Sequence, residues 1–166
     1  MPVSLNIRQA LYAEQTGEVP VVLATITHPD LATPVRLSSD PTQRLSIEPL
    51  RYGTISNGET FEFVLMSAVL PDQQRGQSPR AALVFENVER DSVGLLRSIT
   101  TPMRIRLDLV LASAPNVLEE SYVDLRGMKA GYDADKITLD ISREPFTSEP
   151  WPAGKATQAR LPGLHR

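Results

Sequence analysis

The chain has 166 residues, 41% of them hydrophobic and 22% charged, a balance that fits one folded domain and excludes the composition of a disordered chain. Lys plus Arg number 17 against 20 Asp plus Glu, so the formal charge is −3 and no overall positive field gathers nucleic-acid phosphates. The absence of cysteine removes disulfides, a thiolate nucleophile and cysteine-ligated zinc or iron–sulfur centres.

Ser4 is placed to cap a short helix through Tyr12 or Ala13, with Leu5, Ile7, Ala10 and Leu11 as its apolar positions and Gly17 as a stop. The run from Val21 to Thr27, rich in β-branched residues, predicts a strand ended by His28-Pro29-Asp30. Pro34 to Ser38 predicts a short second strand that forms a hairpin with the first. Arg44 to Tyr52 has no clear period. Asn57-Gly58 accepts the positive φ angles of a type I′ hairpin turn, and Phe61 to Leu70, apolar on both faces after Phe63, is expected to be the central strand. Residues 71 to 79 hold two prolines and a glycine and no large apolar residue, which predicts an exposed loop.

Ala81 to Val88 predicts another strand, and Asp91 caps a second short helix. From Met103 to Ala112 the alternation is clean: Met103, Ile105, Leu107, Leu109 and Leu111 share one face, and Arg104, Arg106 and Asp108 the other. Ser121 to Arg126 and Lys136 to Ser142 form a later hairpin joined through Gly127 and the Gly-Tyr-Asp-Ala-Asp stretch. From Pro145 onward four prolines and isolated large residues replace any period. The reading is a mostly β fold with minor α content: a β-sandwich or small barrel of about seven strands and two short helices over residues 1–145, then an extended arm over 146–166. No segment approaches the roughly 18 continuous apolar residues of a membrane span, and the N-terminus lacks the apolar core of a signal peptide, so the chain reads as soluble and made in the cytoplasm.

Catalytic chemistry finds little to stand on. His28 and His165 are the two histidines and lie far apart in the chain, and His28 beside Pro29 reads as closing a turn. Asp133 and Asp135 lack the spacing of a calcium loop and suit an Asp-rich turn. Glu119-Glu120 reads as part of a solvated loop rather than a carboxylate pair. No hydrolase or nucleotide-binding motif occurs. The chain is therefore expected to be no enzyme and to need no cofactor or metal. Arg104 and Arg106 point outward, where they form an ordinary solvent-facing sheet surface or pair across strands with acids such as Asp124, or else bind a phosphate or a partner carboxylate. Trp151, between two prolines, is costly to leave in water and should pack on something. With Phe146, Leu161 and Leu164 it makes the arm a candidate protein interface, to which Arg104 and Arg106 are added.

Several segments together resemble a family of small minor tail or tail-tip (baseplate) proteins of long-tailed bacteriophages and prophages. They are the opening helix ending in Thr16-Gly17-Glu18, LATITHPDL with the following PVRL, LVFENVERD, LDLVLASAPNVLE, and the ending EPF…ARLPGL. The resemblance covers nearly the whole chain and carries no catalytic residue. It implies a virion component, made in the host bacterial cytoplasm, that joins the tail tube to hub or receptor-binding parts. The partners it implies are further copies of the chain in a cyclic homo-oligomer and other tail proteins: tube, tape measure and hub. A tail assembly factor left out of the finished particle is the alternative, and a cell-wall-degrading tail enzyme a third.

Overall fold

A computed structural model of the chain describes residues 4–70, 80–86, 101–133 and 136–143. The predicted loop at 71–79, the helix expected from Asp91 and the arm lie outside the described residues. Helix α1, Leu5–Tyr12, is followed by ten strands: β1 Pro20–Thr27, β2 Val35–Ser38, β3 Gln43–Ser46, β4 Arg51–Ser56, β5 Glu59–Phe63, β6 Met66–Val69, β7 Arg80–Glu86, β8 Arg104–Leu111, β9 Ala114–Tyr132 and β10 Lys136–Arg143. The mostly β fold expected from the sequence is the fold found.

The strands form one sheet in the order β3-β4-β5-β2-β1-β8-β9-β10-β7-β6. Every pairing is antiparallel except β2 with β5, where Leu37 lies opposite Glu62 and Ser38 opposite Phe63. The β1–β2 hairpin forms as expected, and Leu31 N donates to His28 O (3.1 Å) to close the turn after β1. Asn57 (φ 49°) and Gly58 (φ 80°) make the tight β4–β5 turn that the Asn-Gly pair predicts. Ser4 caps α1 by accepting from Ile7 N, but the helix ends at Ala13 in an extended conformation, four residues before Gly17.

The expected central strand at Phe61 to Leu70 is two strands at distant places in the sheet order. β5 lies between β4 and β2, and β6 is an edge strand beside β7. Val64 N donates to Ser38 O (3.0 Å) while Leu65 O accepts from Glu86 N (2.8 Å), so the chain exchanges partners within two residues. The segment is apolar on both faces because it serves two neighbourhoods, not because it lies at the middle.

That exchange fixes the shape. Laid flat, the seven intervals between β5 and β6 would span about 34 Å at the usual strand spacing. Phe63 and Met66 are three residues apart and cannot be separated by more than about 11 Å. The sheet is not closed by strand pairing, but it must curl until its far edge returns to β5. The interior of the curl is the main core: Ala24 and Ile26 of β1, Met66 of β6, Leu83 and Phe85 of β7, Leu107 of β8, Leu125 of β9, and Leu139 and Ile141 of β10. On the opposite face of β1 and β8, Val21, Leu23 and Val110 join Phe61 of β5 in a second cluster. Both faces of β1 are covered, which is why its sequence shows no alternation.

β8 alternates as predicted at its start, with Ile105 and Leu107 buried between exposed Arg104 and Arg106. Asp108, expected on the outward face with the arginines, is on that face and yet buried, because the second cluster covers that end of the strand. A hairpin with β10 forms, but of Ser121 to Arg126 only Leu125 and Arg126 pair with it: most of the pairing runs through Gly127 to Tyr132, expected as the connection, within a strand of 19 residues that also takes in the segment read as a solvated loop at Glu119-Glu120. Its register against β8 shifts at three points: Pro115 to Val117 lie between Ala114 and Leu118, Glu119 is the extra residue between Leu118 and Glu120, and the pair Val123-Asp124 lies between Tyr122 and Leu125. Asp124 takes φ 58°, a conformation Asp tolerates better than most residues.

Candidate functional site

One face of the sheet passes from apolar to cationic along the strands. Cross-strand partners share a face, and Thr25 of β1 lies opposite both Arg36 of β2 and Arg106 of β8. One step along, Thr27 lies opposite Arg104, and Arg104 lies opposite Arg126 of β9. Four arginines therefore lie on the same face as Val21 and Val110. Arg36 and Arg106 are paired with acids nearby. Arg36 grips Glu59 through two nitrogens, its Nε donating to Oε2 at 3.0 Å. Arg106 Nε donates to Asp108 Oδ1 (3.0 Å), and the same buried carboxylate accepts from Ser121 Oγ. Arg106 thus pairs with Asp108 on its own strand, not across the sheet with Asp124. Arg104 is exposed, and its guanidinium has no partner among the described residues.

Where β1 turns and β8 begins there is a cavity of about 420 Å³, lined by Thr27, His28, Pro29, Thr101, Pro102, Arg104 and Arg126. His28 is buried in its wall at 8% exposure. Asp30 N donates to His28 Nδ1 (3.1 Å), so that nitrogen carries the lone pair and the ring proton sits on Nε2. Nε2 faces Thr101 Oγ1, which accepts this proton and keeps its own hydroxyl hydrogen free to donate elsewhere. His28 does close a turn, as expected, and through Thr101 it also sets a donor at the cavity.

The second polar anchor is Glu119. Its side chain is buried at 3% exposure and accepts from Ser4 N (2.9 Å) and Ser4 Oγ (2.6 Å), tying the start of α1 to β9 across more than a hundred residues of sequence. Glu119 is thus a buried tether and not a loop carboxylate. Glu119→Gln replaces one accepting oxygen with a donor facing a donor. It should lower the unfolding free energy by about 1–2 kcal/mol in urea titrations, and combining it with Ser4→Ala should cost less than the sum of the two.

Burial pushes the Tyr122 phenol up to about 12 from 10.0, with a hydrogen bond to Glu120 and that carboxylate's charge adding to the shift. The folded chain holds the phenolic proton more tightly than the unfolded chain. This contribution to stability is complete below pH 10 and is lost as pH rises from about 10 toward 12. Urea midpoints measured across that window should fall, and Tyr122→Phe should flatten the part of the fall that this phenol causes.

Among the described residues no three His, Asp or Glu side chains converge as a metal would require, and no buried side-chain nitrogen or oxygen lacks a hydrogen-bond partner. No described helix is long and apolar enough to cross a membrane. Asp133 lies at the β9–β10 connection, where its backbone N donates to Lys136 O (2.9 Å). Of the predicted interface residues, Arg104 and Arg106 share the cationic face, while Phe146, Trp151, Leu161 and Leu164 lie outside the described residues. Arg126, Thr101 and His28 complete the cavity beside Arg104 and were not among the interface residues expected from the sequence.

These features define a mostly β protein built on one open, curled sheet whose charged face ends in a polar cavity. The chain belongs to DUF1833, a domain family of unknown function, whose model matches residues 6–118, well over half of the sequence, from α1 into the first turn of pairing between β8 and β9. Comparison with curated proteins returns no match.

Proposed function

We propose that the chain is a structural component of a phage tail tip or baseplate that joins the tail tube to hub or receptor-binding parts through protein–protein contacts, working as a cyclic homo-oligomer within the virion. The observation that carries this reading is the β3–β4 end of the sheet. Ile47 (70% exposed) and Leu50 (61%) stand in the turn between these strands, and Tyr52 and Ile55 of β4 are each about two-fifths exposed (43% and 41%). Large apolar side chains gathered at one end of a domain mark a surface that another chain covers. Among the described residues the adjoining strand β3 and the opposite strand β6 are edge strands of four residues each, short enough to resist indiscriminate pairing yet able to extend a sheet into a neighbour. The resemblance of several sequence segments to tail proteins supports a neighbour of that class.

Peptide mass spectrometry of purified particles tests the reading. Copies in fixed ratio to the tube protein are expected. Finding the chain in infected cells and not in finished particles would replace a structural role with that of an assembly factor.

A further inference from the structure

His28 is buried at the turn after β1, its side chain only 2% exposed, and both of its ring nitrogens are in use. Nε2 carries the ring proton and faces Thr101 Oγ1, while Nδ1 accepts from Asp30 N at 3.1 Å. The Asp30 carboxylate stands beside the same nitrogen, with Oδ2 3.5 Å from Nδ1 and the side chain 77% exposed. Asp30 thus offers Nδ1 two partners of opposite kind. Its backbone N–H is a donor that suits the neutral ring, and its carboxylate is an acceptor that suits the charged one.

A proton taken from solvent onto Nδ1 leaves the ring with donors at both nitrogens, so the Asp30 N–H then faces another donor and its bond is lost. The contact with Thr101 survives, because Nε2 carries a proton in both states and the hydroxyl oxygen accepts it in both. The ring therefore stays anchored on the side of β8 while the turn rearranges. Among the described residues, the other charged groups at this ring are cationic: Arg104 of β8 and Arg126 of β9 line the cavity that His28 walls, with Thr27 and Thr101 beside them and no acid. A charge on the ring is thus balanced from one direction only, by the Asp30 carboxylate drawn in from solvent.

We propose that His28 and Asp30 form a pH-sensitive device that sets the shape of the turn after β1. The neutral ring holds the Asp30 backbone, and the protonated ring holds the Asp30 carboxylate. The exchange withdraws an exposed negative charge from this end of the sheet and shifts Pro29, part of the cavity wall. A partner bound at this end meets a different surface on either side of the exchange. The device stands on the geometry of the turn and does not require the tail role.

The test is NMR of the full chain from about pH 8 to about pH 5, the range in which histidine ordinarily changes charge. The chain has two histidines, so His165→Gln leaves the His28 ring as the single histidine signal. At the upper end the ring should carry its proton on Nε2. Acidification should add a proton at Nδ1, and the amides of Asp30 and Leu31 should shift with the same midpoint, Leu31 because its N–H donates to His28 O across the turn. Protection of the Asp30 amide against hydrogen exchange should fall with them. Asp30→Asn keeps the backbone N–H and removes the carboxylate, so its ring should take the second proton only at lower pH. Glu62→Gln, in an exposed pair with Arg51 on β5 and β4, should leave the midpoint where it is. The device is overturned by a neutral ring protonated on Nδ1, by a ring that takes no second proton over this range, or by an Asp30→Asn chain with the native midpoint. It is overturned equally by a ring that titrates while the Asp30 amide stays as protected as before.

Discussion

Gly53→Ala is expected to lower the unfolding free energy by about 3 kcal/mol, the upper end of what overpacking costs. Gly53 is the third residue of β4 and lies opposite Glu62 of β5. A Cβ at this position would stand 2.0 Å from the Phe61 carbonyl oxygen and 2.7 Å from Leu45 Cδ1. The leucine can rotate away. The carbonyl cannot, because it belongs to a strand paired with β4 on one side and β2 on the other, and the Phe61 side chain is fixed in the second core cluster. Relief therefore requires β4 and β5 to part. The disturbance reaches Thr54, whose buried hydroxyl joins Ser38 (2.8 Å) and Thr42 (2.7 Å), so the hydroxyl network under β2 is strained as well. Urea unfolding followed by circular dichroism measures the loss. Gly17→Ala, with nothing within 4 Å, is the control and should change stability by only a few tenths of a kcal/mol. A Gly53→Ala chain as stable as the control would mean that the strands do not approach as described.

Nothing in the sequence around Gly53 announces this approach, and the contrast with its neighbour Gly58 shows what is legible and what is not. Asn57-Gly58 declares a turn through its own backbone preferences, which need no partner. Ser4 declares a helix start in the same local way. The alternation of β8 is visible because one face of its first half meets solvent. Gly53 is needed for a contact with a carbonyl eight residues away, and that demand exists only once β4 and β5 are paired. β5 and β6 were illegible for a related reason: their apolar residues answer to two different sets of neighbours, and a pattern read as one strand cannot reveal where the partners change.

The polar sites divide along the same line. Arg104 stood out because it alternates with buried leucine and isoleucine on its own strand. Its counterpart Arg126 did not, since the irregularity at Val123-Asp124 decides which residue of β9 comes opposite Arg104, and no local signal marks it. Glu119 reads as a surface residue beside Glu120 until the extra residue in β9 sets it beneath the start of α1. Buried carboxylates whose partners are distant in sequence are invisible to period and composition alike, because what makes them tolerable is a donor supplied by another element.

Phe85→Ala should cost about 3–5 kcal/mol, the usual range for a fully buried aromatic. Phe85 is among the largest fully buried side chains, and it is the register partner of Met66 on β6 and of Ile137 on β10. Its ring fills the interior where the far edge of the sheet folds back, and its neighbour Glu86 donates to Leu65 O at the point where the chain passes from β5 to β6. The cavity left by alanine cannot collapse without β6 sinking inward, and β6 is tethered two residues from β5. The loss should therefore propagate. Hydrogen exchange is expected to speed up first in β6 and then in β5, although these strands lie at opposite sides of the sheet order, while β8 amides follow only global unfolding. Phe85→Leu refills most of the space and should recover the larger part of the stability. Faster exchange confined to β6 and β7, with β5 as protected as β8, would show that the Val64-Leu65 link does not couple β5 to β6 and that the curl is held by the remaining core alone.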